Sequence, residues 1–409
     1  MSRVLDGFRG EPPLLTFGVS FALFSSFGQT FLISLFVPSF VTTFSLTDGT
    51  FGALYSGATL VSAIILPWAG QRLDHMRLTR FSLAVVVLMV ASALTLATAT
   101  HVALLGIALV GLRLAGQGLS GHTASTVMAR YGGARRGKAL SIASLGFPAG
   151  EAVLPVLTAL AIPAFGWRRT WVLFAAVAVV VFLPSFLASL KRSGIEVDPR
   201  RLGASPRAPT TTEPDSSSGD WTRAAVLRDR RFRLALPAAL LPSFWMTGIF
   251  LYQTRIAGIK GWSVTLIASA FVGFALSRVA FALVAGRLVD RVGARKAYPF
   301  VILPMAVALL LPLSTNAPWA AYGMMVGLGM TIGLAGPVRT SLWAELYGVR
   351  HLGAIKAMIA SFGVFGAAGS PVLIGFALDA GVDVDRILAL GIATTVAGVL
   401  LALRMGATD

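Results

Sequence analysis

The chain has 409 residues, 56% of them hydrophobic and only 12% charged, with a mean hydropathy of +0.79. Soluble domains carry about 25% charged residues, so this composition excludes an ordinary soluble protein and points to a chain that crosses a membrane many times. The net charge of +17 is held between apolar blocks, which reads as topogenic charge rather than nucleic-acid binding, and the absence of cysteine excludes disulfides, thiolate chemistry and Cys-based metal sites.

A membrane helix needs about 20 mostly apolar residues. That length predicts twelve spans in chain order: 14–42, 48–69, 79–98, 101–127, 138–163, 169–190, 234–254, 262–286, 297–314, 317–340, 352–377 and 384–404. The first block is too long for the apolar region of a signal peptide and follows Arg3 and Arg9. Alternate loops carry most of the basic residues: Arg72, Arg77 and Arg80; Arg130, Arg135, Arg136 and Lys138; Arg287, Arg291, Arg295 and Lys296; and Arg350. The positive-inside rule therefore predicts an inner-membrane protein with both termini and the central loop in the cytoplasm. That loop, 191–232, separates bundles expected at 1–190 and 233–409. Its stretch "RAPTTTEPDSSSGD" (207–220) is polar and lacks a helical period, so it reads as a flexible tether. Residues 205–220 are expected to be replaceable by a Gly/Ser linker of equal length.

The two halves repeat. A shift of 216 residues sets Gly70 on Gly286, Asp74 on Asp290, Gly111-Leu112 on Gly327-Leu328, and Tyr131-Gly132 on Tyr347-Gly348. One further residue sets Ala143-Ser144 on Ala360-Ser361. The expectation is an all-α polytopic protein: twelve transmembrane helices in two six-helix halves, with a substrate site near mid-depth.

"GRLVDRVGARK" (286–296) fits the pattern G-x-x-x-D-R-x-G-x-R-K at every fixed position, and "GQRLDHMRLTR" (70–80) keeps Gly70, Asp74 and Arg80. With twelve spans around it, this loop resembles that of the major facilitator superfamily. The resemblance covers nearly the whole chain and implies alternating access by rocking of two bundles. The loop residues Gly70, Asp74, Arg80, Gly286, Asp290, Arg291 and Arg295 then read as a conformational latch. Glycines admit a neighbouring helix, and aspartates pair with arginines or a helix N-terminus.

"RYGGARRGKALSIASLGFPAG" (130–150) resembles the signature of the monocarboxylate porters. Arg278 resembles the eighth-helix arginine that binds substrate carboxylate in that branch and in oxalate–formate exchangers. Phe274 stands where the branch often has an acidic residue, and the branch's first-helix lysine is absent, with Gln29 and Ser25 in that neighbourhood. Gln29, Trp245 and Tyr252 are expected to line the substrate site beside Arg278.

Arg113, Glu151 and Arg278 fall deep in spans, where a charge facing lipid costs at least ~2.5–3.5 kcal/mol, so they should face the bundle interior. Arg278 suits a carboxylate ligand, with carbonyl contacts or Glu151 as the structural alternative. Arg113 and Glu151, on successive spans at similar depth, form either a proton-coupling group or a permanent pair, with His122 a further relay candidate. "RLAGQG" (113–118) also resembles an arginine motif of proton-coupled drug exporters.

No nucleotide-binding loop, metal-ligand cluster or hydrolase motif is present, so neither a cofactor nor a metal is expected and the chain does not read as an enzyme. The reading is a monomeric, proton-linked transporter of a small organic anion, with the lipid bilayer, the substrate and protons as its partners. A drug or metabolite efflux antiporter and a non-transporting receptor or assembly factor on the same fold are the alternatives.

Overall fold

The computed structural model describes residues 12–194, 221, 223–348 and 351–406, and every element among them is helical. In chain order these are α1 (Pro12–Gly28), α2 (Thr30–Phe44), α3 (Asp48–His75), α4 (Leu78–Thr98), α5 (Val102–Tyr131), α6 (Arg136–Phe165) and α7 (Trp167–Ser193). There follow α8 (Arg223–Arg228), α9 (Arg230–Leu251), α10 (Gln253–Ile259), α11 (Val264–Val292), α12 (Ala294–Ser314), α13 (Pro318–Tyr347), α14 (Leu352–Asp379) and α15 (Val384–Gly406). Eleven helices are long and apolar enough to span a membrane, and α1 with α2, bent by 46°, makes a twelfth span. The all-helical, twelve-span expectation therefore holds. In a bilayer core every backbone N–H and C=O needs an internal partner, and helices supply one.

Several helices run beyond their apolar windows. α3 continues through Arg72 to His75, α11 through Arg287 and Arg291 to Val292, and α13 to Tyr347. Hydropathy marks the hydrocarbon, whereas the helix persists into the headgroup layer. Helix also occupies both ends of the stretch expected to be a tether, in the last turn of α7 and in α8. Residues 195–220, which include 205–220, lie outside the described residues.

The chain forms two compact units, Met1–Ser39 with Gly57–Thr210, and Phe40–Ser56 with Thr211–Asp409. The turn between α2 and α3 thus groups with the C-terminal helices.

In the first unit α1 packs against α5, α6 and α7. Lipid tails are as apolar as side chains, so close fit rather than hydrophobicity holds such helices together. Phe24 stacks on Phe182 with centroids 4.4 Å apart, and Phe27 stacks on Phe174 at 5.0 Å. On the α6 side the glycines of "GFPAG" let backbone meet backbone. A Cβ at Gly146 would lie 2.7 Å from that of Ala22, and one at Gly150 would overlap the Ser26 hydroxyl.

In the second unit α11 and α13 lie closest. A Cβ at Gly333 would stand 2.9 Å from the Ala282 amide, and the Ser277 hydroxyl donates to the Val326 carbonyl at 2.9 Å. α9 packs on α14 and α15. Ser263 caps α11, accepting from the Leu266 amide at 3.1 Å, and Gly293, at φ +85°, provides the left-handed turn into α12 that side-chain-bearing residues resist.

Candidate functional site

The first unit carries a constellation of helix defects around charged residues. α1 ends in a 3-10 turn, Ser25–Gly28, and Gln29 is extended, with φ −84° and ψ 149°. The Leu32 amide, which would close a helical bond to the Gly28 carbonyl, donates instead to Gln29 O at 3.2 Å. The vacated Gly28 carbonyl accepts from Arg113 Nη1 at 3.3 Å, and the same nitrogen donates to Thr30 Oγ1 at 3.2 Å. The break and the arginine therefore satisfy each other.

Arg113 itself opens a π-helical stretch of α5, Arg113–Ser120. The Ser120 hydroxyl bonds back five residues to Ala115 O at 2.7 Å, the wider spacing of a π turn. Glycine brings the two defects together. A Cβ at Gly28 would overlap the Leu112 carbonyl and lie 2.7 Å from the Gln117 amide, and one at Gly116 would lie 2.7 Å from Gly28 Cα.

Glu151 follows Gly150, the residue that packs on Ser26, and is 8% exposed; Arg113 is 4% exposed. Glu151 Oε2 and Arg113 Nε are buried and make no hydrogen bond, although both residues have other interactions. A guanidinium and an unwound backbone thus meet at the middle of two span helices, and the helix that carries Glu151 packs through Gly150 on Ser26, in the turn just before the break. Broken helices of this kind expose carbonyls and helix ends to ligands and coupling ions.

In the second unit Arg278 is half-buried at the middle of α11 and engages a partner. Trp245 is buried, donating through Nε1 to Thr394 Oγ1 at 2.9 Å. Tyr252 is also buried. Its hydroxyl sits 2.9 Å from Asp48 O and 2.8 Å from Pro371 O, bracing the start of α3 against α14. Asp379 accepts from the Gly49 amide at 2.9 Å in the same cluster, and Arg255 lies 3.6 Å from Asp48. Both aromatic residues expected to line a site have their polar atoms committed to packing contacts.

His122 lies apart from Arg113, about 13 Å further along α5 by helical rise. It is exposed, rests against Gly70, and has Asp74 and Arg130 as charged neighbours. Asp74 is paired with Arg130, a residue that sequence reasoning treated only as topogenic. Arg80 is exposed on α4.

The equivalent loop of the second unit is fastened differently. Glu345 of α13 accepts from the Ala294 and Arg295 amides at 3.0 and 3.2 Å, capping α12. Arg295 reaches Met405 O at 3.5 Å, while Arg291 and Asp290 are exposed and Asp290 forms no ion pair with a described residue. Gly286 has open space where a Cβ would stand, so close helix approach, expected at both loop glycines, does not explain that one.

Breaking the Asp74–Arg130 pair tests the latch. A half-exposed pair is worth ~0.2–1 kcal/mol, so Asp74→Asn or Arg130→Ala should shift two-sided labelling of an introduced cysteine by up to about fivefold. The cysteine-free chain makes that readout clean. Unchanged labelling together with unchanged transport removes the latch.

Arg339 was missed by sequence reasoning. It lies more than two turns inside α13 and donates through Nη1 to Ala239 O at 3.2 Å. Among the described residues, the Asp, Glu, Lys and Arg side chains set this far from both ends of a span helix are Arg113, Arg278, Arg339 and Glu151. Three are arginines, so the span interiors carry a positive excess. No group of three or more His, Asp or Glu among the described residues is arranged to hold a metal ion.

Solved structures of similar fold include a bacterial homologue of the human lysosomal transporter Spinster, in an inward-facing and unoccupied conformation. It is 15% identical with a TM-score of 0.66, over 97% of this chain and 96% of that one. A nucleoside transporter, NupG, is 11% identical with a TM-score of 0.69, over 96% of this chain and 99% of that one. These likenesses concern the fold. No curated protein matches the chain. Both halves match one family model, over residues 19–255 and 239–408, and the chain belongs to the Major Facilitator Superfamily.

Proposed function

We propose that this chain is a secondary transporter, not an enzyme, that moves a small organic anion of the monocarboxylate kind by alternating access, coupled to protons. The observation that carries the reading is the positive excess of the span interiors, three arginines against one glutamate. Charge at that depth is expensive and is retained where it handles substrate or ions. Arginine offers a planar, permanently charged fork that matches a carboxylate. In this reading Arg278 contacts the anion, Gln29 contributes from the break in the first span, and Glu151, beside Arg113, carries the coupling proton.

The Asp74 and Asp290 loops act as latches at the basic end, which faces the cytoplasm of an inner membrane, and the chain works as a monomer. Of the two proteins of similar fold named above, one is a nucleoside transporter and the other a bacterial homologue of a human lysosomal transporter, and at 11–15% identity they lend the fold rather than a substrate. A second reading, proton-coupled efflux of a drug or metabolite, is favoured by the grouping of Arg113 and Glu151 in one bundle.

Arg278→Lys discriminates the two. It keeps the charge and loses the fork, so lactate binding to purified protein should weaken about tenfold or more while the fold survives. Lactate binding unchanged by the substitution removes Arg278 from the site. A wild-type protein that binds cationic drugs and no carboxylate favours efflux.

A further inference from the structure

The entry to the second unit carries a dense basic run that neither the latch nor the central charges use. Between Arg223 and Arg233 stand five arginines and a single acid, Asp229. They are carried on helix: α8 covers Arg223–Arg228 and Arg230 opens α9. Val226 fixes α8 in place. It is 0% exposed and belongs to the apolar core that holds Phe232, Ile355 and Ile359. Trp221, just ahead of α8, sets its ring 5.0 Å from that of Tyr347, and the Arg231 guanidinium lies 5.7 Å from the Trp221 ring.

The one acid is already committed. Asp229 caps α9 by accepting from the Arg231 amide at 3.0 Å, pairs with the Arg231 side chain at 3.1 Å, and accepts from the Tyr347 hydroxyl at 2.9 Å. The charge of Arg231 is thereby balanced. Arg228, Arg230 and Arg233 are exposed and form no ion pair with a described residue. On α8 the exposed positions Ala224, Leu227 and Arg228 follow helical spacing on the side away from Val226, and Leu227 is 41% exposed. On α9, Arg230 and Arg233 are three residues apart in the first turn, directly before the apolar window that begins at 234. That places the three charges at the depth of the headgroups. A topogenic role asks only that positive charge lie on one side of the membrane. It does not call for a docked helix that holds three unbalanced arginines in fixed positions.

We propose that α8 and the first turn of α9 form a platform for anionic phospholipid headgroups, with Arg228, Arg230 and Arg233 taking the phosphates and Leu227 beside them as an apolar contact. Basic clusters immediately next to a membrane span attract anionic lipid, and the guanidinium fork matches phosphate oxygens. The platform holds the end of the central segment on the membrane surface, whichever solute the chain moves.

The test uses the purified full-length chain with Ala224→Cys, which introduces the sole cysteine, carrying an environment-sensitive fluorophore. The protein is placed in phosphatidylcholine nanodiscs of increasing phosphatidylglycerol content. Emission should shift saturably with phosphatidylglycerol, and less readily at high salt. Arg230→Gln should raise the half-saturating lipid fraction about fivefold, the equivalent of about 1 kcal/mol for one charge near the surface. The triple substitution R228Q/R230Q/R233Q should abolish saturation. R135Q/R136Q/K138Q removes as much charge from another basic loop and should leave the response unchanged. Where the triple variant inserts poorly, Arg230→Gln alone carries the test.

A fluorophore that ignores phosphatidylglycerol in the wild type overturns the platform. So does a response that both triple variants weaken equally, which would assign it to the diffuse charge of the whole face. Lactate or glycerol phosphate that shifts the emission in pure phosphatidylcholine as strongly as phosphatidylglycerol does would assign the arginines to a soluble anion and overturn the lipid role.

Discussion

Glu151→Gln will abolish proton-driven accumulation while leaving counterflow exchange. The carboxyl is 8% exposed, sits at the middle of α6 and adjoins the glycine that packs on the first-span break. Glutamine keeps the shape and one acceptor but cannot take up or release a proton. For one proton per anion, a pH difference of one unit is worth ~1.4 kcal/mol and concentrates the anion up to about tenfold. The variant should equilibrate labelled lactate across a vesicle membrane without concentrating it. Undiminished accumulation by Glu151→Gln would move the coupling role elsewhere, with His122 the next candidate. Because His122 groups with Asp74 and Arg130, coupling there would act through the latch.

Gly28→Ala and Gly116→Ala will each destabilise the protein markedly. The atoms a methyl group meets at these positions are backbone: the Leu112 carbonyl and Gln117 amide for one, the Gly28 amide and Cα for the other. No side chain can turn aside, so the helices must separate, and overpacking of this kind costs about 1–3 kcal/mol or more. Separation also pulls the Gly28 carbonyl and Thr30 hydroxyl away from Arg113, which leaves a buried guanidinium short of acceptors. Thermal unfolding of detergent-solubilised protein should show a clearly lower midpoint for both variants and lost uptake. Gly57→Ala is the control, since its Cβ would meet nothing within 4 Å. Midpoints equal to that control would mean that the α1–α5 approach does not hold the site.

The span pattern was legible because bilayer thickness imposes it on the sequence directly. What hydropathy cannot express is the shape of a helix inside its apolar window. The first block, 14–42, read as one uninterrupted span, yet it was longer than the hydrocarbon requires, and the surplus accommodates the bend at Gln29. The polar run "SSFGQT" (25–30) inside it was the available signal.

Arg339 escaped for a related reason. The apolar window ended at 340, which left Arg339 at its edge and outside the charges read as interior, but α13 continues to Tyr347 and sets it inside. Arg113 and Glu151 were found because both sit at mid-depth in the sequence itself. His122 was placed with them by depth alone, whereas its neighbours depend on which face of α5 it occupies. The bond between Gly49 and Asp379 spans 330 residues, and no local pattern encodes it. Glu345 likewise serves a loop about fifty residues before it, where the shared motif suggested Asp290.

Vesicles containing only the purified chain put proton-coupled movement of an organic anion to the test. Labelled lactate is offered with and without an imposed pH gradient, and the rate in protein-free vesicles is subtracted to remove passage of the uncharged acid. Saturable uptake is expected, rising above equilibrium when the outside is acidic and collapsing when a protonophore is added. Uptake no faster than in protein-free vesicles, or uptake indifferent to the gradient, would contradict it.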